Sequence, residues 1–475
     1  MMLYEKLILD HLHRAEPVLF SAHDGRAFTY SQLHELVKEA AEKLSIYGLR
    51  KGDRVVIQND NTPETVILIL ACVYLELCFV LVPEHESQER IQYIISDSGS
   101  RLAVLNHSRE FISFPAEDCR AETPCLVYIL YTSGSTGQPK GVMAPEAQVI
   151  FCIDAINSCL MHNPDDRILC CLPLSFDYGM YQLLMSLSSE ASLVLVRNSG
   201  AVVQSLPGLL AKHAITVFPA MPAMLNALVQ SGLLNRLKPG KLRCITSTGD
   251  NFPVELINEL SRILPGTQII PMYGLTECKR VSVMPFGRAD KIQEGSCGLP
   301  LPGTKVRLGD SGELIISGPN VMAGYWNDDE LTERYFFDDP VYGRSLRSGD
   351  IFKIDGEGFL YFQGRLKQII KVDGIRVSGS EIEHDIRRRI DSSIDVKVIS
   401  LPDSVHGEKI IVCVYSASLS EKEFMNILRE LSGDWPSYRR PAGVLWLGCP
   451  MPQNSNGKTD TKLLRKMAAE NYVYL

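Results

Sequence analysis

The stretch Tyr-Thr-Ser-Gly-Ser-Thr-Gly-Gln-Pro-Lys-Gly, residues 131–141, decides how the rest of this chain is read. It follows directly on an apolar run, Cys-Leu-Val-Tyr-Ile-Leu at 125–130. Within it Gly134, Gly137 and Gly141 alternate with the hydroxyls of Thr132, Ser133, Ser135 and Thr136, and Lys140 adds one positive charge. Glycines let consecutive backbone N–H groups curl around an anion, while hydroxyls and an ammonium add matched contacts. A loop of this composition after a buried strand is expected to cradle phosphate. It is not the P-loop of the GKS/GKT type, because Lys140 stands before Gly141 and follows Pro139.

The 475 residues leave room for two to four domains at roughly 100–200 residues each. Hydrophobic residues at 45% and charged residues at 22% match a soluble globular chain and exclude disordered and fibrous classes. A net charge of −8 argues against a general nucleic-acid or anionic-membrane binder. Thirteen cysteines without paired spacing point to reduced thiols rather than a disulfide scaffold. The N-terminal segment carries charges through its apolar part, unlike a secretory signal. Residues 66–82 are apolar except for Glu76; they are short for a membrane span and read as a buried helix running into a buried strand. No membrane span and a cytoplasmic location are therefore expected.

Strand-like segments at 54–57, 101–105, 192–196 and 214–218 alternate with amphipathic stretches at 30–44, 90–96 and 254–263. This alternation predicts α/β layers with largely parallel sheets. After about residue 295 the texture changes to shorter strands with Gly/Asp turns, as in a small antiparallel barrel. From Gly374 onward a compact α+β pattern follows, whose first helix from Ser380 sets Ile382, Ile386 and Ile390 at helical spacing.

Residues 131–141 resemble the phosphate-binding signature of the adenylate-forming superfamily, which comprises acyl-CoA synthetases, adenylation domains of peptide synthetases and luciferases. Further motifs follow in family order: Phe-Thr-Tyr-Ser-Gln-Leu at 28–33 with Gly-Asp-Arg-Val at 52–55, Tyr-Gly-Leu-Thr-Glu at 273–277, and Gly-Glu-Leu-Ile-Ile-Ser-Gly at 312–318 with Gly-Tyr-Trp-Asn at 324–327. Arg-Ser-Gly-Asp at 347–350, Gly-Arg-Leu-Lys at 364–367 and Asn-Gly-Lys at 456–458 complete the series. The resemblance spans nearly the whole chain. It implies an α/β fold: a large N-terminal ATP- and acid-binding domain at 1–366, built of layered α/β subdomains plus a small β-barrel, and a smaller mobile α+β cap at 367–475 that hinges at Lys367.

The resemblance also implies roles. Lys458 would bridge carboxylate and phosphate; on its own, in the polar turn at 453–457, it reads as an exposed lysine. Glu277 would hold Mg²⁺ and Thr276 would touch the α-phosphate of ATP. Thr132, Ser133, Gly134, Ser135, Thr136, Gly137 and Lys140 would cradle the outer phosphates, with Gly249 beside the nucleotide. Tyr273 would stack on adenine, Asp350 would accept the ribose hydroxyls, and Arg365 would assist ribose or phosphate. Two positions depart from the peptide-synthetase pattern: Pro271 replaces an asparagine that touches adenine, and Leu275 replaces a proline. Leu275 and Lys367 lean toward the CoA-ligase branch. The Arg387-Arg388-Arg389 run reads as a solvated helix face or as a contact for a phosphopantetheine phosphate.

For the acid, Asp177 in Ser-Phe-Asp-Tyr at 175–178 leaves two readings open. A buried carboxylate needs a cation, and in amino-acid-activating relatives an aspartate at this place pairs with the substrate ammonium. Alternatively Asp177 caps the helix that begins at Tyr178. Tyr178, Tyr181, Pro219, Thr246, Thr248, Met272, Arg280 and Val281 are expected along the acid pocket, with Arg280 paired either to an acidic substrate group or to Glu277 or another protein carboxylate. The large side chains suggest a small acid. The resulting expectation is ATP-dependent activation of a small amino acid, then transfer to the phosphopantetheine thiol of a free-standing carrier protein, since no carrier follows Lys458. An acyl- or aryl-CoA ligase is the alternative within the class, and a non-catalytic nucleotide-binding protein the alternative outside it.

Overall fold

The computed structural model describes residues 2–105, 110–115, 125–133, 139–197, 202–236, 240–250, 252–366, 369–373, 375–390, 394–403, 405–433, 435–453 and 459–475. Local chemistry accounts for many element boundaries. The helix Tyr30–Ser45 starts on a capping box in which the Thr29 hydroxyl accepts from the Gln32 N–H and the Gln32 side chain accepts from the Thr29 N–H. Its Leu33, Val37, Ala41 and Leu44 face inward at helical spacing. The apolar stretch 66–82 resolves as the helix Pro63–Tyr74, with proline in its first turn, and the buried strand Cys78–Pro83. Among the described residues no helix is long and apolar enough to cross a membrane. All described cysteines are free thiols.

One compact unit comprises Met1–Phe252, Ile257–Val306 and Ile316–Arg347. It holds two large sheets. In the nine-stranded sheet the spatial order is Leu299–Pro300, Ser282–Val283, Gln268–Tyr273, Cys244–Ser247, Val217–Pro219, Arg167–Cys170, Ser192–Leu195, Leu19–Ser21 and Ala27–Phe28. Its central strands run parallel, as the alternating pattern predicted. The seven-stranded sheet runs Gly324–Tyr325, Pro139–Pro145, Leu126–Ser133, Cys78–Pro83, Arg54–Asn59, Leu102–Leu105 and Glu110–Ser113. A core of Val56, Val80, Ile94, Ala103, Ile129 and neighbours fills one of its faces.

The expected strand at 214–218 begins later, at Val217–Pro219. Ala214 takes a left-handed φ of 49° and the Ile215 N–H donates to the Leu210 carbonyl. These apolar residues therefore end the helix Val202–Lys212 rather than extend the sheet; alternation alone does not register a helix stop made by a non-glycine residue.

The second compact unit comprises Pro253–Leu256, Arg307–Ile315 and Ser348–Leu475. Its six-stranded sheet is built around the long hairpin Ile394–Asp403 with Gly407–Ser416. The helix Gly379–Arg389 buries Ile382 and Ile386 against that sheet, and Ile390 packs at the edge of the same cluster. The division falls at Arg347/Ser348, ahead of the 366/367 boundary expected from motif order. The strand Gly343–Ile354 continues through it, and its second half pairs antiparallel with Leu360–Arg365, which draws that hairpin into the second unit.

Gly179 lets the helix Asp177–Ser188 seat against the chain before it: an added Cβ would lie 2.2 Å from the Pro173 carbonyl oxygen and 2.8 Å from that of Leu172. Gly208, inside Val202–Lys212, meets nothing within 4 Å. Gly179→Ala should cost about 3 kcal/mol in urea-induced unfolding, whereas Gly208→Ala should stabilise by about 0.5–1 kcal/mol through helix propensity. Equal effects at the two positions would contradict the packing described.

Candidate functional site

Three neighbouring parallel strands set the stage. Val217–Pro219, Cys244–Ser247 and Gln268–Tyr273 are in register, with Pro219 beside Thr246 and Ser247 beside Pro271. Their carboxyl ends therefore deliver Pro219, Thr246, Met272 and Tyr273 to one edge, followed in the chain by Thr248, Gly249, Thr276 and Glu277. In open α/β sheets ligands bind outside the carboxyl ends of the strands. Gly249 has φ +95°, and an added Cβ would sit 3.0 Å from the Met221 methyl. That conformation and that proximity both favour glycine.

Residues 274–281 join Gln268–Tyr273 to the antiparallel strand Ser282–Val283, closed by Val281 N–H to the Tyr273 carbonyl at 2.9 Å. The buried Asn320 amide donates to the Cys278 and Arg280 carbonyls, and the Met322 N–H donates to the Glu277 carbonyl. A loop tied this way can hold charged side chains at fixed positions. Gly274 is needed here because an added Cβ would lie 2.1 Å from the Lys279 carbonyl oxygen and 3.1 Å from an Arg280 guanidinium nitrogen.

The Glu277 Oε1 accepts from the Tyr325 hydroxyl at 2.7 Å. Burial and the Glu277 carboxylate push the Tyr325 hydroxyl well above its usual range, so it stays protonated and donates. Lys140 places its ammonium 5.9 Å from the centre of the Tyr325 ring. The signature lysine is thereby brought to the carboxylate of the central motif through one tyrosine. The hairpin behind it pairs Thr132 with Lys140 and Tyr131 with Gly141. Gly141 serves packing: its added Cβ would lie 2.7 Å from the Ile129 Cγ2 and 3.3 Å from the Trp326 Cβ. The Ser133 backbone lies opposite Pro139, while Gly134, Ser135, Thr136 and Gly137 lie outside the described residues.

The acid-pocket positions are almost wholly buried. Tyr178, Tyr181, Thr246, Thr248, Met272, Arg280 and Val281 all fall in the interior, as does Pro219. The Tyr178 hydroxyl bonds to the Thr246 carbonyl and side chain at 2.8 Å, and the Tyr181 hydroxyl meets that of Tyr128.

Asp177 is the first residue of the helix Asp177–Ser188; Phe176 stands at the cap position and makes no side-chain cap bond, so the capping reading of Asp177 fails. The cation facing Asp177 is internal. Lys279, with its side chain 1% exposed, donates to the Asp177 carbonyl at 2.7 Å and lies 3.4 Å from its carboxylate. The same ammonium sits 4.2 Å above the Tyr181 ring. Lys279 holds this place with a left-handed φ of 58°, a strained conformation for a lysine. Sequence reasoning passed over Lys279; a charged residue beside Arg280 in a short loop was the available signal.

Arg280 does not pair with Glu277. Its guanidinium donates to the Thr248 hydroxyl at 2.7 Å and lies 5.3 Å from the Tyr178 ring. Its buried Nε has no hydrogen-bond partner.

In the second unit, Asp350 is buried on the strand Gly343–Ile354 and lies opposite Arg365, whose Nε is 3.2 Å from its carboxylate. The pair makes a fixed acceptor beside a half-exposed guanidinium, the geometry expected for ribose hydroxyls. Arg387 donates to the Val396 carbonyl and Arg389 pairs with Glu430, as residues of a structural helix face do. Lys367 and Lys458 lie outside the described residues.

A carboxylate edge, a hydroxyl- and lysine-bearing hairpin and a ribose-type acceptor define a nucleotide-handling α/β enzyme. The family model for AMP-binding enzymes matches residues 11–126 and 114–326, and the chain belongs to that family. Tyrocidine synthase 3 of Brevibacillus parabrevis is 28% identical over 479 residues, covering 93% of this chain. Bacitracin synthase 2 of Bacillus licheniformis is 26% identical over 93% of the chain. The chain spans 7% and 18% of the length of these two relatives. Among solved structures, ATP-bound MatB from Rhodopseudomonas palustris superposes with a TM-score of 0.86 at 23% identity over 98% of both chains. VinN aligns at 28% identity with a TM-score of 0.67, covering 76% of this chain and 98% of its own. The α/β adenylate-forming fold is thus shown.

Burial lowers the Lys279 pKa to about 8, against the raising influence of Asp177 and Cys152 and alongside the lowering influence of Arg280. An unfolded lysine titrates near 10.5. Between these values the unfolded chain holds more protons, so this residue's contribution to stability rises with pH. The cysteines and tyrosines around it change stability equally in both proteins if wild type is compared with Lys279→Met. The difference in unfolding free energy should move toward wild type by about 2 kcal/mol between pH 7.5 and 9.5. A pH-independent difference would show that the ammonium is not desolvated.

Proposed function

We propose that the chain activates a small carboxylic acid with ATP and passes the acyl group to the phosphopantetheine thiol of a separate carrier protein. In the first step a carboxylate oxygen attacks the α-phosphorus, the bond to the β-phosphate breaks, and pyrophosphate leaves with the acyl-AMP formed. In the second the thiol attacks the acyl carbon, losing its proton, and AMP leaves. The observation that carries the reading is the grouping of Lys140, Tyr325 and Glu277 on the tied loop of a family whose model describes AMP-binding enzymes.

Joining two anions demands positive charge where the transition state builds up negative charge. Lys140 supplies part of it from the hairpin, and Lys458 is assigned the bridging position between carboxylate and α-phosphate. Glu277, with Oε1 fixed by Tyr325, suits Mg²⁺, which commonly takes one or two carboxylates plus substrate phosphates. Among the described residues no cluster of three or more His, Cys, Asp or Glu could cage a metal, which agrees with that mode. Bound there, the ion would neutralise charge developing on the phosphates. Thr276 is assigned to the α-phosphate, Tyr273 to the adenine, Asp350 and Arg365 to the ribose. Lys367 is assigned as the hinge of a cap at 367–475 that moves between the two steps relative to 1–366.

The amino-acid version of this reading relied on Asp177 waiting for a substrate ammonium. Lys279 already stands there, so the proposal rests on a small acid, with amino acids as one arm of its test. CoA as acceptor is the second reading, favoured by Leu275 and by structural neighbours such as the anthranilate CoA ligase AuaEII, with a TM-score of 0.84 at 20% identity.

ATP–pyrophosphate exchange over short fatty acids, aryl acids, dicarboxylic acids and amino acids should find at least one small acid that supports exchange. No exchange with any acid, with AMP still bound, would instead establish a non-catalytic nucleotide-binding protein. Lys458→Ala should lower acyl-AMP formation by about 10²–10³-fold while leaving thioester formation from a supplied acyl-AMP intact. Equal loss of both steps would refute the assigned division of labour.

A further inference from the structure

Three charged side chains are packed together in the interior of the first unit, away from the phosphate-handling group, and they do not balance. Lys279 and Arg280 are both at least 97% buried, and the one carboxylate among the groups that face them is Asp177. The remaining neighbours are neutral: the Tyr178 and Tyr181 rings lie under the two cations, the Thr248 hydroxyl accepts from Arg280, and the Cys152 thiol is held neutral by burial. The cluster therefore carries one uncompensated positive charge. Leaving a buried charge uncompensated is costly, and a protein relieves that cost by neutralising the group or by binding its counter-ion. A guanidinium cannot be neutralised at physiological pH. The Arg280 Nε is buried and has no hydrogen-bond partner, so a donor is left over as well as a charge.

The arrangement is built, not incidental. Lys279 is held in a left-handed backbone conformation, Gly274 leaves room for both the Lys279 carbonyl and the Arg280 guanidinium, and Asn320 pins the Arg280 carbonyl from the opposite side. Arg280 and its partner Thr248 sit just beyond the carboxyl ends of Gln268–Tyr273 and Cys244–Ser247, the edge assigned above to the acid.

We propose that Lys279 and Arg280 are the specificity-determining residues of the acid pocket, selecting an acid with a second anionic group and excluding one with an ammonium. This rests on the adenylation reading above and names its substrate class, of which a dicarboxylic acid is the simplest member. Lys279 takes the place beside Asp177 that a substrate ammonium would need, so an amino group would meet net positive charge. Arg280 offers a charge-assisted donor to the second carboxylate, and that hydrogen bond would fill the unpartnered Nε. A monocarboxylate of the same length would leave donor and charge unanswered, which is the situation in which a polar site discriminates most strongly.

The test uses the full chain and matched acids of equal length: propanoate, alanine and malonate, then butanoate, 2-aminobutanoate and succinate. Exchange kinetics should favour the diacid over the monoacid by at least about tenfold in kcat/KM in one of the two sets, with the amino acid poorest. Arg280→Met should bring the diacid-to-monoacid ratio close to one, chiefly through KM, and Arg280→Lys should restore part of it. Lys279→Met uncovers Asp177 and should raise the amino acid relative to the diacid; it reads the same assignment if Arg280→Met fails to fold. A monoacid or an amino acid preferred in both sets, or a diacid preference unmoved by Arg280→Met, would overturn the assignment while leaving adenylation intact. Absence of exchange with every acid would overturn the adenylation reading, and this assignment with it.

Discussion

The burial of an ammonium against Asp177 is the constraint around which the interior of the first unit is arranged. An isolated charge does not survive in that environment, so each surrounding feature supplies a share of its stabilisation. The helix Asp177–Ser188 presents a backbone carbonyl and a carboxylate at its first residue, and Tyr181 one turn later places a ring beneath the cation. Gly179 allows that helix to approach the preceding chain closely enough to set this geometry. The loop carrying Lys279 accepts a left-handed residue and is tied down by Asn320 and Met322. Loosening any one of these would leave a charge in the core without its partner.

The same loop serves two chemistries because side chains along it alternate in direction. Glu277 reaches Tyr325 and the signature lysine, whereas Lys279 and Arg280 reach the helix and the strand ends. Fixing one half therefore fixes the other. The group suited to phosphate and metal and the group suited to the acid are separated by two residues of chain, and both hang from the antiparallel turn between Gln268–Tyr273 and Ser282–Val283. Gly274, within the central motif, belongs to this economy: its missing side chain makes space for the cation pair as much as for any ligand.

Much of the architecture was legible in the chain itself. Parallel strands, the capped helix Tyr30–Ser45, the helix-then-strand solution for 66–82 and the helix Gly379–Arg389 all follow from periodicity and capping, which are local. The late start of Val217–Pro219 was not, because Ala214 ends the preceding helix in a conformation its residue type rarely takes. The unit boundary at Arg347/Ser348 was not either, since it depends on which neighbours a continuous strand acquires at each end. Among site residues, the motifs identified Glu277, Asp350 and Arg365, and the structure shows the partners that hold them: Tyr325 for the first, each other for the last two.

What the sequence determined alone was the class of chemistry: glycines, hydroxyls and a lysine in one loop, then carboxylates in ordered motifs, specify nucleotide handling by residue type and order. What only the tertiary structure decided was the charge of the acid pocket. Asp177, Lys279 and Arg280 are a hundred residues apart in part and adjacent in part, and nothing in their spacing says which carboxylate meets which cation. Pairing is set by distance and desolvation, and these exist only once the helix and the loop are folded against each other. Asp177 on its own invited an ammonium from outside; the fold had already supplied one from within.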